Sequence, residues 1–177
     1  MDNYNKHDRM KSVIDKLQKT SFSEMPAYEH PKLKRYGGLL FHSLNLWMKL
    51  EELTQQVNLH WDHPSSPFVI AMLHHACNIG EYYYNWDYHC WESDRKHTGH
   101  GKRSLQVAEE LGIQLTEEEK ACILYHEGEY SPDGIMNGNY IDAATRYPNI
   151  LQVRLAVMLL EKEYAETRPT TEVDYAG

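Results

Sequence analysis

The stretch AMLHHACNIG, residues 71–80, decides the fold that this sequence predicts. It continues an apolar run that begins at Pro67, so residues 67–79 are predicted to form one helix that is apolar on nearly all sides. A helix of this kind lies at the centre of a domain. His74 and His75 are then buried, and buried imidazoles need polar partners.

The segments on either side of this helix are predicted to be mainly helical. Apolar side chains recur in them every three or four residues, which is the spacing of one helix face. The predicted helices span residues 5–20, 39–57, 100–111, 117–128 and 149–166, with loops at 58–67 and 131–149. Thr116 and Glu119 form a capping box before the fourth of these helices. Residues 81–99 alternate aromatic and polar groups, and a small β-hairpin is predicted near residues 82–97.

Length and composition indicate one ordinary globular domain. The chain has 177 residues, enough for a single domain with a full core. Its net charge of −8 argues against general binding of nucleic acids or of anionic membranes. No apolar run approaches the roughly 20 residues that a membrane span needs. The three cysteines match no zinc motif, so a reduced, cytoplasmic protein is expected.

Histidines on predicted helices, or at their starts, form the main candidate site. A single histidine on an apolar face is usually a core residue with one satisfied hydrogen bond. Several in so small a domain are harder to explain in this way, because each buried imidazole without a partner costs about 1–3 kcal/mol. Convergence on a shared site would satisfy several of them at once. These residues are His42, His74, His75, His100 and His126.

Four stretches of the chain carry a resemblance to a known family. They are RYGGLLFHSLNLW, LHHACNIG, HGKRSLQVAEELGIQLTEEEKACILYHEGEY and LQVRLAVMLLEKE. In order and spacing they resemble the HD-domain metal-dependent phosphohydrolases over residues 30–165. The resemblance implies a single HD-like helical bundle over residues 1–177, with a polar tail at residues 167–177.

The resemblance also implies a ligand set for one or two metal ions. Members of the family use a first histidine, an adjacent His-Asp pair, often two further histidines, and a late aspartate. Matched onto this chain, the first histidine is His42, the pair is His74-His75, and the further histidines are His100 and His126. The late aspartate falls at Val157.

Departures from the family pattern change what is expected of the metal site. His75 and Val157 stand where the family has carboxylates, and Asn78 stands where a lysine is common. Neutral imidazoles neither neutralise a cation nor bridge two cations as carboxylates do. No cofactor is therefore expected, and hydrolysis of the usual kind is disfavoured. The alternative is a single divalent zinc, iron or manganese ion on His42, His74 and His75.

A pocket without metal could still bind a phosphorylated ligand. Its imidazoles offer N–H donors, and Lys102, Arg103 and Arg154 supply nearby cations. Tyr84 and Trp86 lie in the aromatic segment, and flat aromatic faces stack on nucleobases. The alternatives are a solvated charged face for the first two cations and hairpin or interface packing for the aromatic rings.

The sequence is compatible with three functions. In the first, a catalytically degenerate HD-domain protein binds or sequesters a nucleotide or cyclic-nucleotide signal in a histidine-rich pocket, as some phage anti-defence proteins do. In the second, an active metal-dependent phosphohydrolase acts on nucleotides through an all-histidine metal site. In the third, a structural or interaction protein forms a homo-oligomer through its aromatic segment. None of the three involves general nucleic-acid binding or a membrane.

Overall fold

The structure is a computed structural model that describes residues 2–27, 32–93 and 99–166, with the backbone alone for residues 2–5 and 136–137. Within these ranges the protein is mainly helical and has one small antiparallel sheet, as predicted. The helices are α1 (Asp2–Leu17), α2 (Gly38–Gln56), α3 (Ser66–Leu73), α4 (His100–Glu110), α5 (Glu117–Tyr125), α6 (Pro132–Asn137), α7 (Tyr140–Arg146) and α8 (Asn149–Glu166), and the strands are β1 (Tyr82–Asn85) and β2 (Cys90–Ser93). None of the described helices combines the length and the apolar character that crossing a membrane requires.

The core forms where α2 and α5 pack against α3, and where α8 packs against α2 and α5. Every residue of α3 is buried, because its sequence SPFVIAML presents no polar face to solvent. The inward stripe of α2 contributes Leu39, Leu46 and Leu50, all fully buried. His42 lies on the same stripe of α2, so the helical period also places this imidazole inside the domain.

Glu119 connects three helices at a buried point. Its carboxylate is fully buried and accepts two hydrogen bonds of 2.5 Å from the guanidinium of Arg9 on α1. The Ser66 hydroxyl at the start of α3 donates to the same carboxylate at 2.7 Å. The backbone N–H of Thr116 donates to it at 2.9 Å, and Thr116 Oγ1 accepts from the backbone N–H of Glu119. The predicted capping box is thus confirmed, and it forms part of the link between α1, α3 and α5.

The central helix ends earlier than the sequence pattern indicates. The pattern predicts one helix over residues 67–79, but the backbone leaves the α-helical path at His75, with φ −117° and ψ 26°, and only a short 3₁₀ helix follows, at Ala76–Asn78. Side chains take the carbonyl groups that a longer helix would use. The His74 imidazole bonds the Ala71 carbonyl, and Ser104 Oγ donates to the His74 carbonyl at 2.8 Å. The prediction is wrong here because hydrophobic periodicity does not reveal this competition.

The chain after Tyr125 also differs from the prediction. The pattern predicts helix to residue 128 and a loop over 131–149, but α5 ends at Tyr125 and α6 and α7 occupy most of the predicted loop. Ser131 caps α6 by accepting a hydrogen bond from the backbone N–H of Gly134 at 3.1 Å. These helices have 6 and 7 residues, too few for a helical period to register in the sequence.

The predicted β-hairpin is present. Its strands β1 and β2 are antiparallel, with Tyr82 opposite Ser93. The last part of the predicted hairpin, residues 94–97, lies outside the described residues, and so does the polar tail predicted at 167–177. The hairpin begins seven residues after His75, and its Tyr82 and Trp91 side chains pack against the hydrophobic core.

Candidate metal and ligand site

The five predicted histidines lie together at one place in the domain. His42 comes from the buried face of α2, and His74 and His75 directly follow α3. His126 directly follows α5, and His100 begins α4. Neighbouring rings have centroids 4.2 to 5.6 Å apart. All of these imidazoles are buried except that of His100, which is partly exposed.

The same backbone interaction holds two of the histidines. The Nδ1–H of His74 donates to the Ala71 carbonyl at 2.9 Å, and that of His126 donates to the Ile123 carbonyl at 2.7 Å. Each ring stands just past a helix, where the carbonyls of the last turn lack an intrahelical partner. A carbonyl can only accept, so Nδ1 carries the proton in both rings. Nε2 of each neutral ring therefore presents a lone pair.

His42 is held at both of its ring nitrogens. Its Nε2 lies 3.1 Å from Nε2 of His74, and since the latter presents a lone pair, Nε2 of His42 carries the hydrogen. Nδ1 of His42 is then the acceptor for the Tyr164 hydroxyl at 3.2 Å. The Asn45 amide donates to the same hydroxyl oxygen at 3.3 Å. This chain of hydrogen bonds aims Nε2 of His42 at the other imidazoles.

The described part of the structure leaves one buried ring nitrogen of His126 unpaired. Its Nε2 has no hydrogen-bond partner among the described residues, although an unpaired buried polar atom costs about 1–3 kcal/mol. The ring meets those of His74 and His75 edge to face, with centroids 5.2 and 5.0 Å away. A metal ion or a hydrogen-bond donor bound among these imidazoles would satisfy this buried lone pair.

Among the described residues, two groups of side chains are close enough to hold a metal ion, and they share His75. In the first, the ligand atoms of His42, His74 and His75 all lie within 4.8 Å of one another. In the second, the ligand atoms are those of His75, His100 and Glu127. His100 Nε2 is 3.8 Å from an oxygen of Glu127. Three imidazoles, or imidazoles with one carboxylate, are ligand sets that zinc and iron accept.

Glu127 is the site residue that sequence reasoning misses. Its side chain is 24% exposed and lies beside His75 and His100. The family pattern has carboxylates at the positions of His75 and Val157, and it assigns no role to the position of Glu127. A signal is present in the sequence, because Glu127 directly follows His126 and the same turn carries both.

Burial keeps the clustered imidazoles neutral. It lowers the pKa of His42 and of His126 to about 4; repulsion from His126 adds to the effect at His42, and repulsion from Arg154 adds to it at His126. Burial also lowers the pKa of His74 and His75 well below the usual value. At pH 7 these rings therefore act as lone-pair donors and do not act as cations toward a phosphate.

A cavity of about 830 Å³ opens beside the cluster. His42, His75 and His126 form part of its wall, and α8 contributes Arg154 and Val157. Gly128, with φ 93°, leaves room for the arginine, because a Cβ there would lie 3.3 Å from Nε of Arg154. The predicted cation Arg154 and the position of the lost aspartate, Val157, thus border the same space as the imidazoles.

The other predicted ligand residues lie elsewhere. Lys102 and Arg103 are on α4, where Lys102 is exposed and Arg103 pairs with Glu110 at 2.9 Å. Tyr84 and Trp86 are on the hairpin, where their rings meet edge to face with centroids 4.8 Å apart and Trp86 is 76% exposed. None of these four is among the described residues that line the cavity. The structure therefore gives a solvent-exposed or local packing environment to each of them.

Comparison of the chain with protein-family models, with curated proteins and with solved structures finds no significant match. The five histidines that the resemblance selects do lie together, but a histidine cluster does not by itself establish the HD-domain family. The resemblance remains a prediction, and the case for a function depends on the geometry of the site.

Proposed function

We propose that the protein binds a divalent transition metal through His42, His74 and His75, and that the metal anchors a phosphorylated small molecule of the nucleotide class in the adjoining cavity. The observation that carries the proposal is the convergence of three buried imidazoles whose ligand atoms lie within 4.8 Å of one another. The ligand class is drawn from the family resemblance and from the guanidinium of Arg154 in the cavity wall.

The side chains present fit a transition metal. A hydrogen bond from Nδ1 to a backbone carbonyl, as in His74, is the interaction that commonly fixes the ring and the tautomer of a metal-binding histidine. His126 is held in the same way, and its buried Nε2 has no partner in the described part of the chain. Imidazole nitrogens suit zinc and iron better than magnesium or calcium.

The charge of the cavity supports a metal together with the phosphorylated ligand. The described lining contains the carboxylates of Glu127, Glu129 and Glu161 against the guanidinium of Arg154. The imidazoles add no positive charge at pH 7, because burial lowers the pKa of those in the wall. A phosphate alone would meet an excess of negative charge, whereas a divalent cation offsets that excess. This balance favours the metal-containing site over a metal-free ring of imidazoles.

The protein's own residues bind and orient the ligand. When bound, a divalent transition metal would act as a Lewis acid toward a phosphoryl oxygen. Arg154 offers a planar pair of N–H donors to another phosphate oxygen. Tyr164 and Asn45 hold the His42 ring in place through the hydroxyl that both contact. For Nε2 of His42 to bind the metal, the ring hydrogen would move to Nδ1, which would then donate to the Tyr164 hydroxyl.

Binding without turnover is the form of the function that this ligand set favours. The positions that would carry bridging or charge-balancing carboxylates hold His75 and Val157. Sequestration of a nucleotide signal requires only the bound state. Hydrolysis is the second candidate function, and the position of the Glu127 carboxylate favours it. A carboxylate 3.8 Å from His100 Nε2 has the chemistry of a general base.

Metal content is the first test. Purified protein loaded with Zn²⁺ or Fe²⁺ is expected to hold about one equivalent of metal by elemental analysis. His74→Ala should lower the metal affinity by about tenfold or more. His60→Ala removes an exposed histidine outside the cluster and should bind metal as the wild type does. Equal metal affinity in His74→Ala and wild type would contradict the proposal.

Ligand binding is the second test. Thermal denaturation with AMP, cyclic AMP and inorganic phosphate is expected to show more stabilisation in the metal-loaded protein than in chelator-treated protein, since a ligand at 100 times its Kd adds about 2.7 kcal/mol. Metal-dependent release of phosphate that is lost in Glu127→Gln would establish the second candidate. Absence of a shift with every probe would contradict both candidates and favour a structural role.

A further inference from the structure

A second groove, of about 870 Å³, shares Leu33 and Tyr164 with the histidine cavity. It lies between α2, the C-terminal part of α8 and the segment 32–35. Its described lining contains no histidine of the cluster, although it includes Asn45 and Tyr164, which hold the His42 ring; the proposed function places no ligand there.

The groove exposes large apolar side chains on a concave surface. Phe41 and Met48 are 44% and 65% exposed, and they lie about two turns apart on one side of α2. Leu33 and Leu160, also in the lining, are only 3% and 2% exposed. Concave apolar surface with a few polar groups is the usual composition of a small-molecule site.

The charged groups of the groove fall into two sets. Lys49 lies 3.1 Å from a Glu52 oxygen and 3.0 Å from a Glu163 oxygen, so these three charges are already engaged with one another. The guanidinium of Arg35 lies over the Phe41 ring, 5.2 Å from its centroid, and has no carboxylate partner among the described residues. Among the described residues, the groove thus offers a cation without a carboxylate partner directly beside an exposed aromatic face.

We propose that this groove binds a small aromatic anion, with its ring on Phe41 and Met48 and its anionic group on the guanidinium of Arg35. An arginine that stacks on an aromatic ring still presents N–H donors at its edge to a carboxylate or phosphate. Lys32, whose ammonium donates to the Tyr164 carbonyl at 2.6 Å, adds positive charge to the lining. Charge complementarity favours an anionic occupant, because the described lining carries three cations, Lys32, Arg35 and Lys49, against the two carboxylates of Glu52 and Glu163.

This site is chemically separate from the histidine cavity. The described lining of the cavity has an excess of carboxylates, whereas the two carboxylates of the groove are engaged by Lys49. Removal of metal should therefore leave the affinity of the groove unchanged.

Phenylphosphonate is the probe that tests the groove, because it combines a ring with an anion and contains no ester bond. Calorimetry on protein treated with a chelator is expected to show binding that Arg35→Ala and Phe41→Ala each weaken about tenfold. Both side chains are exposed, so both variants should keep the wild-type unfolding temperature. Methylphosphonate, which lacks the ring, should bind at least about fivefold more weakly than phenylphosphonate.

Lys34→Ala is the matched control. Lys34 carries the same charge as Arg35, is exposed, and is not among the groove-lining residues, so its removal should leave phenylphosphonate binding unchanged. The proposal is overturned by absence of binding, by equal weakening in Lys34→Ala and Arg35→Ala, or by loss of binding in His126→Ala with the groove variants unaffected. If the protein binds phenylphosphonate but does not bind metal, the proposed function is refuted and the proposal for the groove is supported.

Discussion

The buried imidazoles make the stability of the metal-free protein depend on pH. Burial lowers the pKa of His42 and of His126 to about 4, below the value of about 6.5 for an unfolded chain. Below pH 6.5 the unfolded chain therefore takes up protons that the folded protein does not accept until about pH 4. The stabilising contribution is complete above pH 6.5 and is lost as the pH falls through this window.

The expected loss is large enough to measure. Each of the two imidazoles removes about 2 kcal/mol from the free energy of unfolding by pH 5, and about 3 kcal/mol by pH 4. Domains are stable by about 5–15 kcal/mol in total. His126→Asn removes one titrating group and keeps an N–H donor for the Ile123 carbonyl. It should therefore lose about 2 kcal/mol less than the wild type between pH 7.5 and pH 5.

Urea denaturation of chelator-treated protein at the two pH values measures this difference. Burial raises the pKa of Glu118 and Asp133, and these groups act in the opposite direction. Both are present in the wild type and in the variant, so the comparison of the two proteins isolates His126. His60→Asn, at an exposed histidine, should keep the full pH dependence. An identical pH dependence in His126→Asn and wild type would refute the neutral, buried state of this ring.

Three substitutions test the scaffold that positions the histidines. Arg9→Ala should lower the free energy of unfolding in urea by about 3 kcal/mol, because it leaves the buried carboxylate of Glu119 without its cation. Gly101→Ala should lower the Tm in scanning calorimetry, since a Cβ there would lie 2.3 Å from the Leu124 carbonyl oxygen; unchanged melting would contradict the packing of α4 on α5. Thr116→Ala should cost about 1 kcal/mol in urea through loss of the helix cap, whereas Thr116→Ser should cost little.

Local patterns in the sequence are sufficient to predict most of the long helices and their boundaries. The apolar periods of α2 and α8 and the capping box before α5 depend on residues within a few positions of one another, and the predicted boundaries of α1, α2, α4 and α8 differ from the structure by at most 3 residues. The turn residues Ser131 and Gly134 were also visible, but a helix of 6 residues contains too little periodic pattern to distinguish it from a loop.

The geometry of the site depends on contacts that no local pattern contains. His42 and His74 are 32 positions apart, and their contact requires the packing of α2 on α3. The early end of α3 depends on Ser104, which is 30 positions from the carbonyl that it bonds. The identities of the histidines were therefore predictable, whereas their tautomers and the approach of Glu127 were not.

The two lost carboxylates allow a direct test of the family resemblance. Val157 is 4% exposed and lines the cavity, so Val157→Asp combined with His75→Asp would place carboxylates at both positions where the family has them. Without metal, two buried carboxylates would lack a cation, and the one at position 75 would lie near Glu127, so the double variant should be less stable than the wild type by several kcal/mol. Metal would pair with the same carboxylates. Zn²⁺ or Mn²⁺ should therefore raise the Tm of the double variant by more than it raises that of the wild type.

A pair of uncharged substitutions at the same two positions distinguishes the effect of carboxylate charge from the effect of side-chain shape. His75→Asn combined with Val157→Asn has nearly the same volume as the aspartate pair but cannot balance the charge of a cation, so its Tm should respond less to metal. Phosphate release from AMP or cyclic AMP, assayed with Mn²⁺, shows whether hydrolysis returns with the carboxylates. If the aspartate pair gains neither metal affinity nor hydrolysis, the match of these two positions to the family is wrong. That result would not contradict the three-histidine metal site, because the evidence for that site is ligand atoms within 4.8 Å of one another and does not depend on the match to the family.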